Sequence, residues 1–322
     1  MSDRVRTVNG AAEDVGPVVA VTVLTSRCVR YRRPMLVRRF DDPGAFRDAA
    51  LPYLTRDEAR HNLLLGISSN LVNQPGHFEL FDLWLVTDGD DVAGVALRTP
   101  PFNLVLAQPR DDAALDALVD RLVEEGQDLP GVVASIPELD AFVARWTGLH
   151  DLDTTLVMRQ GVYELREVLP TPAPAGSPRV ATREDRDLLV RWMHEFTDEV
   201  LPDESEGERQ TRAVEDRLEA SERAGLWIWE DGGRPVSMSG YGSETPNGIR
   251  IGPVYTPPEL RGHGYATGLV SEQSRWLLET GRRFCFLYTD LDNPTSNALY
   301  RRIGYRIVAE SGDVRFEPKA VA

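Results

Sequence analysis

Hydrophobic positions change their period several times along the chain, and the changes outline its elements. In "ATREDRDLLVRWMHEFTDEV", Leu188, Leu189, Trp192, Met193 and Phe196 recur at helical spacing. Thr182 and Asp185 stand ahead of that face at capping-box spacing, with Asp in the place usually taken by Glu or Gln. A second helix runs through Val214 and Leu218. The pattern then shortens: "GLWIWED" and "RPVSMSGYG" read as two strands joined at Gly232-Gly233, a favoured hairpin turn. "GIRIGPVYT" is a third strand, a helix runs to about Thr280, and "RFCFLYTD" is a buried strand. "NPTSNALYRRIG" forms a short helix, and "YRIVAE" and "VRFEP" are closing strands.

The preceding stretch repeats this order weakly. A helix is expected around "TRDEARHNLLLGI", then strands at "FDLWLVTDGD", "VAGVALRTP" and "FNLVLAQ". A helix at "DAALDALVDRLVEEG", a strand at "GVVAS", a helix at "ELDAFVARWTGL" and a strand at "RQGVYELRE" follow. Two stretches with one element order suggest a duplicated fold. Between them "LPTPAPAGSP" sets four prolines among small residues, which favours an extended spacer. The expected division is a flexible leader over 1–34, a first domain over 35–168, a linker over 169–178 and a second domain over 179–322.

Composition narrows the function more than the fold. The chain has 322 residues, 42% of them hydrophobic and 27% charged, as in a globular protein with a sizeable core. No apolar run is long enough to span a bilayer, and Val18–Leu24 is short for a signal-peptide core, so a cytoplasmic location is expected, with no membrane association. A formal net charge of −15 speaks against a nucleic-acid partner. The two cysteines and the scattered histidines give no metal-ligand spacing, so no metal is expected. Lys319 is the only lysine, which removes Schiff-base chemistry from consideration.

The strand, loop and helix from Arg250 to Thr280 hold the clearest candidate chemistry. The first N–H groups of a helix have no intrahelical partner and carry the positive end of its dipole. A diphosphate can sit there if side chains leave room, and Gly262 and Gly264 meet that requirement. A tight turn without a ligand would also use them. The first stretch has "AQPRDDAA" where the second has "ELRGHGYA", and so lacks these glycines. Farther on, Asn293, Asn297 and Tyr300 share one side of a short helix, with Asn293 suited to cap it and Gly304 to end it.

Together these segments resemble the GNAT superfamily of acyl-CoA-dependent N-acyltransferases. The family's signature is Arg or Gln, two residues, Gly, one residue, then Gly or Ala; here it falls on Arg261-Gly262-His263-Gly264-Tyr265-Ala266. "VYTPPEL" and "NPTSNALYRRIGY" match the flanking strand and the C-terminal segment. The resemblance covers about 180–316 and is only topological over 35–168. It implies an α/β fold of two GNAT-like domains, each with a mixed, mostly antiparallel sheet flanked by helices, the first a degenerate copy.

The same resemblance implies acetyl-CoA as co-substrate and a small-molecule or peptide amine as acceptor, with a homodimer possible. Backbone groups of Val254, Tyr255 and Thr256 would meet the pantetheine arm, and amides from Arg261 through Gly262, His263, Gly264, Tyr265 and Ala266 to Thr267 would hold the diphosphate. Asn293 and Asn297 would contact the cofactor, Tyr300 would protonate the departing thiolate, and an amide near Val254 would meet the oxyanion. No carboxylate lies on "GIRIGPVYT", so the general base stays open among Glu244, Glu195, Glu199 and water. The acidic stretch from Thr197 to Glu208 could attract a cationic amine. A non-catalytic acyl-CoA-binding module is the alternative reading, whereas a P-loop lacks its Lys-Ser/Thr and a dinucleotide site its third glycine.

Overall fold

The computed structural model describes residues 35–200, 207–219 and 222–319. The expected leader over 1–34 and most of the acidic loop, 201–206, lie outside the described residues. The first half contains β1 (Leu36–Arg39), α1 (Pro43–Leu54), α2 (Asn62–Asn73), β2 (Asp82–Asp88), β3 (Asp91–Arg98), β4 (Leu104–Leu106), α3 (Asp112–Glu124), β5 (Gly131–Ser135), α4 (Glu138–Leu149) and β6 (Leu152–Leu165). The second contains β7 (Ser177–Val180), α5 (Arg186–Val200), α6 (Gly207–Leu218), β8 (Gly225–Asp231), β9 (Arg234–Gly242), β10 (Gly248–Tyr255), α7 (Tyr265–Glu279), β11 (Phe284–Asp290), α8 (Pro294–Ile303) and β12 (Arg306–Pro318).

Among the described residues, all twelve strands form one sheet in the order β1-β2-β3-β4-β5-β12-β6-β11-β10-β9-β8-β7. The pairs are antiparallel except β4–β5 and β10–β11. Each half's last strand has crossed to the other half. β6 lies antiparallel to β11, while β12 lies antiparallel to β5. The two exchanged strands also pair with each other, from Arg306↔Glu164 to Pro318↔Leu152. The two closing strands expected at 305–310 and 314–318 are thus one strand, bent by register shifts after Ile307 and Asp313.

Four larger cores sit on the two faces of this sheet. In the second half, Ile249, Ile251, Cys285 and Leu287 point to the α7 and α8 face with Leu269, Leu277 and Ile303. Ile228, Met238 and Tyr255 point to the other face, under Leu189, Trp192 and Val214 of α5 and α6. The capping box forms as the sequence suggests, with Thr182 N–H donating to Asp185 Oδ2 at 2.8 Å. Arg179 adds two bonds of 2.7 Å to the same carboxylate, holding the Asp185 carboxyl below the ordinary value of 3.8.

The proline-rich stretch is packed rather than free. Trp229 Nε1 donates to Ala175 O at 2.8 Å, and the Thr171 and Ser271 hydroxyls lie 3.2 Å apart. A Cβ added at Gly268 would come within 2.8 Å of the Pro174 ring, so glycine in this helix interior is what lets the strap lie against α7. Ser177 and Pro178 belong to the edge strand β7, where a proline without its N–H is tolerated.

Candidate functional site

The site begins where β10 and β11 part. Their parallel pairing covers Gly248↔Phe284, Ile249↔Cys285 and Arg250↔Phe286 and then stops. β10 continues along β9 alone, with a one-residue bulge between Ile251 and Val254 at Gly252-Pro253. Beyond Arg250 one edge of β10 therefore faces a wedge instead of a strand.

Strand alternation decides which groups line that wedge. Ser237 Oγ donates to Tyr255 O at 3.0 Å, so the Tyr255 carbonyl points toward β9. Backbone groups of successive strand residues point to opposite edges. Those of Val254 and Thr256 therefore face the wedge. Thr256 O accepts from Arg261 Nε at 2.9 Å, which leaves Val254 as the strand residue with open backbone groups among the described residues.

The chain next passes through Pro258–Leu260 into the glycine loop. Gly262 and Gly264 both have φ of 84°, the left-handed region that glycine adopts without strain. A Cβ at Gly262 would meet nothing within 4 Å, so backbone conformation and not clearance requires glycine there. This refines the argument drawn from "ELRGHGYA": the turn itself needs these residues. Its consequence is a run of outward-facing amides. Among the described residues, no protein acceptor meets the N–H groups of Gly262 through Thr267, and the first return bond of the helix is Gly268 N–H to Gly264 O at 2.9 Å. Gly264 caps α7 without a side-chain acceptor. Such a nest at a helix N-terminus binds anions. The Arg261 amide is excluded from it because it donates to Pro258 O at 3.3 Å.

The side chains around the loop brace it. Arg261 Nη2 donates to Glu199 Oε2 at 2.6 Å, tying the loop to the end of α5. Tyr265 Oη donates to Asp231 Oδ2 at 2.6 Å, and the exposed His263 ring lies 5.5 Å from that of Tyr265. Burial and the neighbouring Glu195 carboxylate push the Tyr255 phenol up to about 12. Glu195 and Glu199 therefore stand beside the wedge. Glu244 does not: it precedes β10 at the opposite end of the strand, bridged to Arg282 at 2.8 Å and Arg223 at 3.0 Å. The chemistry expected of a base there would have to cross the length of β10.

α8 closes the other side. Asn293 Oδ1 accepts from Ser296 N–H at 3.0 Å as an N-cap, leaving its amide nitrogen open. Asn297 is buried and saturated. Its Nδ2 donates to Asp290 O, Leu291 O and Asn293 O at 2.8–3.1 Å, and its Oδ1 accepts from Tyr163 Oη at 2.9 Å. The side chain expected to touch a cofactor is instead a strut between the β11–α8 turn and the exchanged strand β6. Spacing alone reads Asn297 as part of an open face, and nothing in the sequence identifies Tyr163 as its partner.

Tyr300 shares a core with Ile251 and Leu287, one residue from each strand bounding the wedge. Its ring meets Tyr305 edge-on at 5.8 Å, and its hydroxyl takes no hydrogen-bond partner among the described residues. Burial pushes the phenol up to about 12, so it keeps its proton at neutral pH. Among the described residues no group of three or more His, Cys, Asp or Glu could hold a metal ion, and no helix is long and apolar enough to cross a membrane.

Comparison with known proteins accords with this geometry. Residues 188–305 match the Acetyltransferase (GNAT) family. A mycothiol acetyltransferase of Pseudarthrobacter chlorophenolicus is 27% identical over 246 residues, covering 67% of this chain and 72% of that protein. A GCN5-related N-acetyltransferase from Sphaerobacter thermophilus superposes with a TM-score of 0.58 at 20% identity, over 90% of this chain and 98% of the other. A tandem GNAT protein from the clavulanic acid biosynthesis pathway gives 0.54 at 14% identity, over 89% and 99%. These superpositions run through both halves and show that the fold is shared across them, which supports two GNAT-like domains. The match to the acetyltransferase (GNAT) family thus falls on the half that carries the wedge and the glycine loop, and the protein is an acyltransferase.

Proposed function

We propose that the second half moves an acetyl group from acetyl-CoA to a primary amine by direct attack in a ternary complex. The observation that carries this is the open edge of β10 leading straight into the nest of unpartnered amides from Gly262 to Thr267. An extended arm can lie along the first while its diphosphate meets the second. Acetyl-CoA supplies an activated thioester; the residues supply placement and protons. Val254 N–H donates to the thioester oxygen as charge develops on it. Tyr300, neutral and unpartnered, gives its proton to the departing sulfur. Asn293 offers its free amide nitrogen at the mouth of α8. Glu195 and Glu199 are the carboxylates positioned to accept the amine proton, directly or through water.

In this reading the first half is a degenerate copy that binds no cofactor and walls the acceptor side, with Pro174 and its neighbours as the link between the two. The likeness to a mycothiol acetyltransferase favours a small-molecule acceptor. Acetyl-CoA should raise the melting temperature of the full chain whereas ATP and NAD should not, and CoA release should depend on an added amine. Stabilisation by acetyl-CoA without release for any amine would favour the alternative, a non-catalytic acyl-CoA-binding module. No stabilisation by any acyl-CoA would end both.

A further inference from the structure

Arg250 is the last residue of β10 to pair with β11, so it stands at the root of the wedge. Ile249 and Ile251 turn into the α7 core, and alternation sends Arg250 to the opposite face, the one that carries Tyr255 beneath α5 and α6. Its guanidinium carbon lies 5.1 Å from the centre of the Tyr288 ring on β11. Tyr288 Oη in turn accepts from Asn62 Nδ2 of the first half at 2.8 Å. Across the recess, Arg217 of α6 donates from Nη1 to Ala213 O at 2.9 Å. Its Nη2 lies 3.9 Å from where a Cβ on Gly242 would be, and Gly242 is the register partner of Arg250. Arg209, two turns earlier on α6, stacks over Phe102 at 5.8 Å and brings the first half against the same helix.

Two guanidiniums are therefore gathered in a recess walled by both halves, and among the described residues neither has a carboxylate partner. Arg217 Nε is buried and meets no acceptor among the described residues. Arg250 keeps part of its surface exposed, and burial among its neighbours holds its guanidinium below the ordinary value. Burial and then the charge of Arg250 lower that of Arg217. Buried cations are ordinarily paired, because an uncompensated charge in a desolvated place is costly. Among the described residues this pair lacks its counter-charge.

We infer that Arg217 and Arg250 receive an anionic group of the acceptor, whose amine is acylated near Val254. The acceptor is then dipolar: its amine faces Glu195 and Glu199, and its carboxylate or phosphate reaches the arginines. Three strand rises separate Val254 from Arg250 once the bulge is discounted, so nitrogen and anion are roughly 10 Å apart, farther than in a free α-amino acid. This inference rests on the acetyl-transfer reading and names its substrate class.

Matched amines test it. Release of CoA by the full chain is measured with a short glycine peptide against its C-terminal amide, and with glucosamine 6-phosphate against glucosamine. The anionic member of one pair should be favoured roughly tenfold or more in kcat/KM, as a charge-assisted contact requires. Which pair responds tells carboxylate from phosphate. Arg250→Gln and Arg217→Gln should each bring that ratio toward one, through KM more than kcat. Ratios near one in the wild type, or a preference that survives in both variants, overturn the inference while leaving acetyl transfer intact. A second measurement needs no turnover: inorganic phosphate at matched ionic strength should raise the melting temperature of the wild type more than that of the double variant. Phosphate bound at the glycine loop contributes equally to both, so equal shifts overturn the inference as well. Stabilisation by acetyl-CoA checks independently that each variant is folded.

Discussion

The two halves place the same three elements, a strand, a turn and a helix, at corresponding points and finish them in opposite ways. Counted from their hairpins, Leu106 of β4 pairs with Ala96 as Val254 of β10 pairs with Ser239. Leu106 is still paired to Ala134 of β5, whereas Val254 has no β11 partner. The next group on that edge in the first half is Gln108, and it is satisfied from within. Its N–H donates to His61 Nε2 at 3.3 Å, and its carbonyl accepts from Tyr53 Oη at 2.6 Å. Asp111 then caps α3, its carboxylate accepting from Ala114 N–H at 3.1 Å. One half supplies its own anion to the helix N-terminus; the other ends its loop on a glycine and leaves the amides open. The same register makes the turn between Gln108 and α3 shorter than its counterpart between Thr256 and α7. The missing glycines of "AQPRDDAA" therefore reflect a shorter loop, not a substituted one.

Closing the open half should abolish its resemblance to a binding site. Gly264→Val places a β-branched residue at φ of 84°, at a cost of about 1–3 kcal/mol. The expected result is a folded protein whose melting temperature no longer responds to acetyl-CoA. A normal response would reduce the loop to a turn. Tyr300→Phe is the next largest effect. The corresponding turn of α4, Phe142–Arg145, carries no hydroxyl, so this change makes α8 like its counterpart. Turnover should fall by roughly 10²-fold or more, as for loss of a general acid, while stabilisation by acetyl-CoA persists. With its phenol pushed up to about 12, Tyr300 should cause no loss of kcat below the ordinary tyrosine value of 10.0. A fall in kcat centred lower and absent from the phenylalanine variant would contradict its role.

What could be read from the sequence follows what local physics encodes. "GVVAS", "ELDAFVARWTGL", "GLWIWED" and "RPVSMSGYG" coincide with β5, α4, β8 and β9, because period and turn residues agree there. α1 escaped notice because Pro52 interrupts its apolar pattern, and β7 because it begins inside the proline-rich stretch. The first part of β6 is mostly exposed, so it lacks the buried alternation that marks a strand. The exchange of β6 and β12 could not be read at all, since periodicity says that a strand has a buried face and not which strand lies beside it. At the site, the glycines announced the loop. The wedge comes from a bulge at Gly252-Pro253 and from pairings that end, which are tertiary facts. Nothing in the sequence singles out Arg217 and Arg250, because only the fold shows that neither has a carboxylate partner among the described residues.

The smallest effect should come from disturbing the half that is already closed. His61 Nδ1 lies 3.1 Å from Leu54 O and Nε2 accepts from Gln108, so the ring is neutral with its proton on Nδ1. Burial lowers its affinity for a second proton below the ordinary value of 6.5. The sign follows: this base is depressed on folding, so its contribution is complete above pH 6.5 and is lost as pH falls through the folded value. His61→Leu leaves Gln108 N–H without an acceptor and should cost about 1–3 kcal/mol at pH 8, read from urea unfolding. The penalty should shrink at pH 5, because the variant has no imidazole to protonate. Acetyl-CoA should stabilise the variant as it does the wild type. A His61→Leu protein that lost that response would show that the first half shares the cofactor site instead of standing closed beside it.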